Sequence, residues 1–263
     1  PGEEGHDGAA HMLREGLLDV TGRRPVAAYA LHAAATTPAG ALGNRPGPAL
    51  AASATVTITL HGRGGHGAWP HRSRDPIPAA AAIVTALQTL VTRRFDVLDP
   101  VVVSVGSVHA GTGPTIVPET ATLGATLRAF RGDTLTRLAA SIREVADGVA
   151  AAHGVTAEVS VVDGYPVTEN DTAETAFVRD VVADLLGDDR VTPVEAAALV
   201  SDDIGRVLAE VPGVMTSLGA CPPGLDPTRV SGNHAPDALF DDSVLAEGAA
   251  LLAELALRRT STP

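Results

Sequence analysis

Two adjacent carboxylates, Glu3 and Glu4, begin the chain, and two histidines that could share a metal with them, His32 and His234, lie far downstream. Neighbouring side chains of an extended segment point in opposite directions, so the two acids are not expected to bind one ion together. One carboxylate could bind a metal while the other transfers protons. The arrangement predicts a metal-assisted hydrolase, although a Glu-Glu pair by itself is more often a solvated acidic turn.

The composition is that of an ordinary soluble globular chain. Its 263 residues are 45% hydrophobic, which is enough for one large domain or two smaller ones. The net charge is −12 and all 19 basic residues are arginine, so no nucleic-acid surface is expected. The single cysteine, Cys221, is compatible with a reducing compartment, and we expect a cytoplasmic protein. No membrane span or leader is predicted, and because residue 1 is not Met, we expect an N-terminally incomplete sequence.

Hydrophobic periodicity in the middle of the chain predicts a compact βαββαβ module. Residues 55–60 alternate threonine with Val56, Ile58 and Leu60, which is the period of a half-buried strand. The elements that follow are a helix at 76–93, strands at 101–108 and 120–128, a helix capped by Asp133, and a strand at 155–161. This order predicts a ferredoxin-like layout, whose antiparallel sheet leaves an edge for pairing.

The segments on either side of this module read as two parts of one α/β domain. They predict a helix at 7–15 and strands at 26–32 and 214–218. Open α/β sheets place functional residues at strand ends and in the loops that follow. We therefore predict a catalytic domain made of residues 1–51 and 164–263, interrupted by a second domain at 52–163. The chain is expected to cross between the domains at 45–48 and 164–166.

Several short motifs, spread over nearly all 263 residues, resemble one family of metallopeptidases. They are Pro-Gly-Glu-Glu-Gly at 1–5, His-Gly-Arg-Gly-Gly-His-Gly-Ala-Trp-Pro-His at 61–71, Asp-Pro at 75–76, Val-Gly-Ser-Val-His at 105–109, Leu-Arg at 127–128, Ser-Asp-Asp at 201–203, Asn-His-Ala-Pro at 233–236 and Phe-Asp at 240–241. These strings are similar to the hippurate hydrolase and auxin-conjugate (IAA-amino acid) amidohydrolase branch of the aminoacylase/carboxypeptidase family. The resemblance implies a di-metal catalytic domain interrupted by a ferredoxin-like lid that pairs two subunits.

The resemblance also implies roles for individual residues. Glu3 would be the general base, and Glu4, His32 and His234 would bind two divalent ions, zinc or manganese. His66 would stabilise the oxyanion in the neighbouring subunit, and Arg128 would bind the substrate carboxylate. Read without the resemblance, the two metal-binding histidines and His66 remain ambiguous between core, turn and ligand positions.

The sequence departs from the family pattern in two places. Thr115 stands where the family carries Asn, and the Cys-Gly-His-Asp motif that supplies further ligands before the Glu-Glu pair has no counterpart. Cys221 follows a strand where the family has no ligand, so we expect it to be an ordinary small side chain.

The sequence therefore predicts a metal-dependent amidohydrolase that cleaves N-acyl amino acids and forms a homodimer through its lid. Two alternatives stay open. One is a related deacetylase or dipeptidase, and the other is a non-catalytic dimerising fragment with an incomplete metal site. Because the Cys-Gly-His-Asp motif has no counterpart, the sequence as given is expected to be inactive as a di-metal hydrolase and poorly soluble.

Overall fold

The computed structural model of the protein describes residues 5–261, so Glu3 and Glu4 lie outside the described part of the chain. Within it are six α-helices and twelve strands. The helices are α1 (Gly8–Arg14), α2 (Pro76–Arg94), α3 (Gly132–Ala152), α4 (Thr172–Leu186), α5 (Ile204–Leu208) and α6 (Val244–Ser261). The strands are β1 (Ala28–Pro38), β2 (Leu42–Asn44), β3 (Gly47–Leu50), β4 (Ala52–His61), β5 (Gly65–His66), β6 (Val101–Ala110), β7 (Ile116–Val117), β8 (Thr120–Ala129), β9 (Thr156–Asp163), β10 (Thr168–Asn170), β11 (Val191–Pro193) and β12 (Gly213–Cys221).

The mixed α/β chain forms two compact units. The first unit contains Pro1–Leu50 and Thr168–Pro263, and the second contains Ala51–Val167. Each unit has a hydrophobic core of its own.

The second unit is a four-stranded sheet covered on one face by two helices. Its strand order is β6-β8-β4-β9, and every neighbouring pair is antiparallel. The alternation predicted for β4 is present, since Val56, Ile58 and Leu60 are at most 1% exposed. Leu123 and Leu127 of β8 join them in the same core, together with side chains of α2 and α3. The period-two pattern therefore identified the buried face of the sheet correctly.

The two helices of this unit begin differently from each other. Asp75 caps α2 by accepting a hydrogen bond from the Ile77 N–H at 2.9 Å. Asp133, which was expected to cap α3, lies inside the first turn, and the residue before the helix is Arg131. Arg131 donates to the Asp133 carboxylate at 2.8 and 3.0 Å and holds the pKa of that carboxyl down at about 2. The prediction of an Asp133 cap is wrong because this acid pairs with the preceding arginine instead.

The first unit is built on a mixed sheet in the order β1-β12-β2-β11, with β1 and β12 parallel. Helices α4 and α6 pack on it, and the shared core includes Val214 and Leu218 of β12 and Leu251 and Leu255 of α6. A Cβ atom on Gly213 would lie 2.0 Å from the Ala28 carbonyl oxygen, so the parallel pair requires glycine there. Among the described residues, β1 is an edge strand of its sheet.

The segment 45–48, where a crossing between the domains was expected, lies within the first unit. Gly47–Leu50 forms β3, which pairs with β10 through Asn170↔Gly47 and Thr168↔Leu50. The boundaries of the second unit lie at 50/51 and 167/168. Strand β3 ends at the first boundary and β10 begins at the second. Because these two strands pair with each other, both belong to the first unit.

Two further features concern exposure to solvent and lipid. Cys221 ends β12 and is 2% exposed, as expected for a small buried side chain. Over residues 5–261, no helix has both the length and the apolar character needed to cross a bilayer.

Candidate functional site

His32 lies on β1 opposite Ser217 of β12, in the parallel part of the first unit's sheet. Its Nδ1 atom is 2.9 Å from the Ala33 carbonyl oxygen. A carbonyl oxygen only accepts hydrogen bonds, so Nδ1 must carry the proton of the neutral imidazole. The lone pair is then on Nε2, which is the atom that can bind a metal. The His32 side chain is half-buried.

His234 is placed next to the same strand by its neighbour Asn233. The Asn233 side chain accepts from the Ala35 N–H at 2.9 Å and donates to the Ala33 carbonyl oxygen at 2.7 Å. His234 itself is exposed and has a φ of 71°, an uncommon left-handed conformation for a residue other than glycine. The structure therefore brings the chain segments of two predicted ligands together, across 200 residues of sequence.

The segment that follows the predicted acid pair is anchored to α5. The Asp203 carboxylate accepts from the Ala9 N–H at 2.7 Å, at the start of α1. Arg206 donates to the Asp7 carboxylate at 2.6 Å, and Asp7 has a φ of 53°. Both contacts lie within a few residues of Glu3 and Glu4, whose own positions are outside residues 5–261. The roles of those two acids stay predictions.

The donor chemistry of these residues fits a divalent metal. Nε2 of His32 has an available lone pair by the hydrogen-bond argument above, and imidazole with carboxylate suits zinc or manganese. Among residues 5–261, no three His, Cys, Asp or Glu side chains are grouped closely enough to hold an ion. Of the three predicted ligands, His32 and His234 lie in the described part of the chain, and Glu4 lies outside it.

His66 in the second unit has the opposite hydrogen-bonding arrangement. It lies on β5, which pairs with β7 through His66↔Ile116. Its Nδ1 atom accepts a hydrogen bond from the Ala68 N–H at 3.1 Å. The proton of the neutral imidazole is then on Nε2, which becomes a donor. His66 is exposed, so this donor can face a ligand.

The loop after His66 carries the only tryptophan of the sequence, Trp69, a residue that is 53% exposed. The Trp69 ring centroid is 5.3 Å from that of His66, and the Arg72 guanidinium lies 5.2 Å from the Trp69 centroid. A Cβ on Gly67 would lie 3.1 Å from the Thr115 carbonyl oxygen, so a small residue helps this loop to approach the neighbouring segment. The imidazole is thus held by a backbone N–H and by an aromatic neighbour.

Arg128 lies one residue before the end of β8, opposite Ser53 of β4 and Val102 of β6. Its neighbours Leu127 and Ala129 are fully buried in the core, whereas Arg128 is half-buried. The alternation of the strand places it on the sheet face opposite the two helices. A guanidinium in this position has the fork geometry that binds carboxylates.

The sequence analysis gave no role to four residues that contact the predicted site residues or the segments beside them: Asn233, Asp203, Arg206 and Trp69. The first three act through contacts between residues about 200 positions apart, which no local pattern predicts. The motifs Asn-His-Ala-Pro and Ser-Asp-Asp contain Asn233 and Asp203, but they do not show which backbone groups these side chains contact.

Comparison with known proteins gives a consistent set of similarities. The sequence profile of peptidase family M20/M25/M40 matches residues 1–258. The chain is 35% identical to the IAA-amino acid hydrolase ILR1-like 2 of Arabidopsis thaliana, over 98% of this chain and 57% of the relative. It is 31% identical to the N-acetyldiaminopimelate deacetylase of Exiguobacterium sibiricum, over 93% of this chain and 63% of the relative.

Two crystal structures show the same similarity in three dimensions. A protein from methicillin-resistant Staphylococcus aureus matches with a TM-score of 0.87 at 26% identity, over 98% of this chain and 64% of that protein. A Bacillus subtilis protein, described as a dinuclear metal-binding peptidase from the M20 family, matches with a TM-score of 0.78 at 25% identity, over 100% and 64%. The chain thus spans roughly three fifths of the length of these relatives.

Proposed function

Because the chain belongs to peptidase family M20/M25/M40, we propose that its protein is a metal-dependent amidohydrolase that cleaves the amide bond of N-acyl amino acids. The names of two relatives support this substrate class. One is a hydrolase of IAA-amino acids and the other deacetylates N-acetyldiaminopimelate. In both names the acyl group is carried by an amino acid, which also offers a free carboxylate for recognition.

The observation that carries the proposal is the opposite tautomer of two histidines. His32 donates from Nδ1 to a carbonyl and so has a lone pair on Nε2 for a metal. His66 accepts at Nδ1 from a backbone N–H and so has a proton on Nε2 for a developing oxyanion. A hydrolase of this class needs one imidazole of each kind, and each backbone contact selects the form its histidine needs.

The metal-binding residues in this proposal are Glu4, His32 and His234. The Bacillus subtilis relative is described as dinuclear, which supports two ions in the complete protein. When bound, such ions lower the pKa of a water molecule and polarise the scissile carbonyl. Zinc and manganese both accept these nitrogen and oxygen ligands.

The remaining residues of the proposal bind the substrate and move its protons. Glu3, the sequence neighbour of the ligand Glu4, takes the proton of the attacking water and passes it to the leaving nitrogen. Arg128 binds the substrate carboxylate through its two-pronged guanidinium and so orients the amide. His66 donates from Nε2 to the carbonyl oxygen of a substrate bound in the neighbouring subunit, as negative charge develops on that oxygen.

We infer that the second unit is a ferredoxin-like lid through which two subunits pair, and that the first unit is the catalytic domain. The strand order β6-β8-β4-β9 with antiparallel neighbours supports the ferredoxin-like assignment. The outer strands β6 and β9 have exposed apolar side chains, Val108 at 50% and Val162 at 65% exposed, which supports pairing along an edge. Since this unit has its own core, residues 51–167 can be produced alone. Analytical ultracentrifugation should show a dimer, and a monomer at high micromolar concentration contradicts the pairing.

The test of the activity is hydrolysis of a substrate panel with added zinc or manganese. We expect release of the amino acid from N-acetyl- and N-benzoyl-amino acids, abolished by a chelator and restored by metal. N-acetyldiaminopimelate and simple dipeptides belong in the same panel, because they separate a deacetylase or a dipeptidase from the proposed amidohydrolase. Absence of both hydrolysis and metal binding refutes the proposal and favours a non-catalytic dimerising protein.

A further inference from the structure

We propose that Asn233 is a positioning residue that fixes His234 relative to His32, and that metal affinity depends on its side chain. The inference rests on the proposed metal-binding roles of the two histidines. Asn233 supplies no metal ligand itself in this proposal. It acts by attaching the loop of one ligand to the strand of the other.

The Asn233 side-chain amide makes the two hydrogen bonds that a residue of a neighbouring parallel strand would make to β1. Its oxygen accepts from the Ala35 N–H at 2.9 Å and its nitrogen donates to the Ala33 carbonyl at 2.7 Å. In a parallel ladder one residue bonds in the same way to the carbonyl before and the N–H after its partner. Here the partner position is Ala34, on an edge strand of the described sheet. The two bonds define both the distance and the orientation of the loop on β1.

The same carbonyl also orients His32. The Ala33 oxygen accepts from Asn233 at 2.7 Å and from the His32 Nδ1 atom at 2.9 Å, which uses both of its lone pairs. Asn233 therefore holds in place the group that determines which nitrogen of His32 is available to a metal. Residues that orient metal ligands in this way commonly change metal affinity by about 10- to 100-fold when removed.

The turn that carries His234 depends on the same side chain. The Ala235 N–H donates to the Gly232 carbonyl at 3.2 Å, so Asn233 and His234 are the central residues of a tight turn. His234 has the left-handed φ of 71° in this turn, a conformation that costs free energy for a residue with a Cβ. Such a conformation persists only where the surroundings hold it, and the two side-chain hydrogen bonds of Asn233 to β1 are well placed to do so.

The test compares Asn233→Ala with a matched control, Asn170→Ala, in the purified protein. Asn170, also in the first unit, likewise uses both ends of its side-chain amide. Its oxygen accepts from the Met215 N–H at 2.8 Å, and its nitrogen donates to the Met215 carbonyl at 3.1 Å and to the Arg45 carbonyl at 2.9 Å. Zinc and manganese affinities are measured by competition with a chelator, and the metal-free proteins are compared by thermal unfolding. We expect Asn233→Ala to weaken metal binding about 10- to 100-fold. Asn170→Ala should lower the unfolding temperature and leave metal affinity within a factor of about two, as an ordinary structural amide would.

Two further measurements distinguish positioning from a general loss of structure. Hydrogen exchange of the Ala35 amide in metal-free protein should accelerate in Asn233→Ala and not in Asn170→Ala, since only Asn233 accepts from it. The visible absorption of cobalt-substituted protein, which depends on the number and geometry of ligands, should change in the same selective way. If Asn233→Ala does not fold, Asn233→Ser, whose shorter side chain cannot span both partners, takes its place.

The outcomes separate this inference from the proposed function. If the unaltered protein binds metal and Asn233→Ala binds it equally well, the inference is wrong and the proposed function stands. If the unaltered protein binds no divalent metal, both are overturned. Equal loss of affinity in Asn233→Ala and Asn170→Ala also contradicts the inference, because a general structural effect then explains the result.

Discussion

The tautomer assigned to His66 makes a specific prediction about which substitutions at this position preserve activity. Its Nδ1 atom accepts the Ala68 N–H at 3.1 Å, so Nε2–H is the donor left for substrate. Loss of one oxyanion donor commonly costs about 10²- to 10³-fold in kcat, or about 3–4 kcal/mol of transition-state stabilisation. We expect that loss in His66→Ala, with a much smaller change in KM, because the donor acts mainly as charge develops on the carbonyl oxygen.

The two amide substitutions at this position should differ from each other. The side-chain nitrogen of glutamine reaches the place of Nε2, whereas that of asparagine reaches only the place of Nδ1. Because Nδ1 faces Ala68 here, we expect His66→Gln to retain activity within about tenfold of the original and His66→Asn to behave like His66→Ala.

Initial rates on an N-benzoyl- or N-acetyl-amino acid at saturating zinc or manganese measure these effects. His61→Ala is the matched control, since His61 is an exposed histidine of the same unit whose Nε2 atom lies 3.4 Å from Glu158. If asparagine preserves activity and glutamine does not, the tautomer assignment is reversed. Full activity in His66→Ala refutes the oxyanion role itself.

Three other predictions concern the predicted base and ligand, the arginine proposed to bind the substrate carboxylate, and the half-buried Tyr29. Glu3→Gln should keep metal content and lower turnover by about 10²- to 10⁴-fold, as loss of a general base does, whereas Glu4→Gln should lose metal; atomic absorption and rate measurements separate the two. Arg128→Ala should raise KM about 10- to 100-fold, and Arg128→Lys should restore only part of this because it lacks the planar fork; unchanged kinetics remove this role of Arg128 from the mechanism. Burial and its 2.5 Å hydrogen bond to Glu174 raise the pKa of Tyr29 well above its ordinary value of 10, so the folded state keeps a proton that the unfolded chain loses. The free energy of unfolding should therefore fall as pH rises above 10, and urea titrations should show a shallower fall in Tyr29→Phe.

The second unit could be predicted from the sequence almost element by element. Its strands alternate with period two and its helices have long apolar stripes, so burial on one face follows from local pattern. The helix expected at 76–93 is α2 (Pro76–Arg94), and the strand expected at 101–108 is β6 (Val101–Ala110). The errors came from two contacts that the pattern does not show, one local and one between segments far apart in the sequence. Asp133 pairs with Arg131 instead of capping α3, and 47–50 is a strand because β10 lies beside it.

The candidate site was predicted in part. The motifs contained its residues but did not show which hydrogen bonds position them. Neither the Ala33–Asn233 contact nor the Ala9–Asp203 contact has a signal in the spacing of the residues. The protonated nitrogen of each histidine is likewise set by the nearest backbone group. Such groups are identified only when the chain is folded.

The sequence by itself determined the mixed α/β character of the chain, the order of strands and helices in its second unit and its membership of the peptidase family. These depend on residue types and on spacing over a few positions, which the linear chain carries directly. The tertiary structure alone decided that Asn233 joins the His234 loop to the strand of His32, and that His32 and His66 have opposite tautomers. The physical reason is that hydrogen bonds form between atoms within about 3 Å, and folding decides which groups meet at that distance.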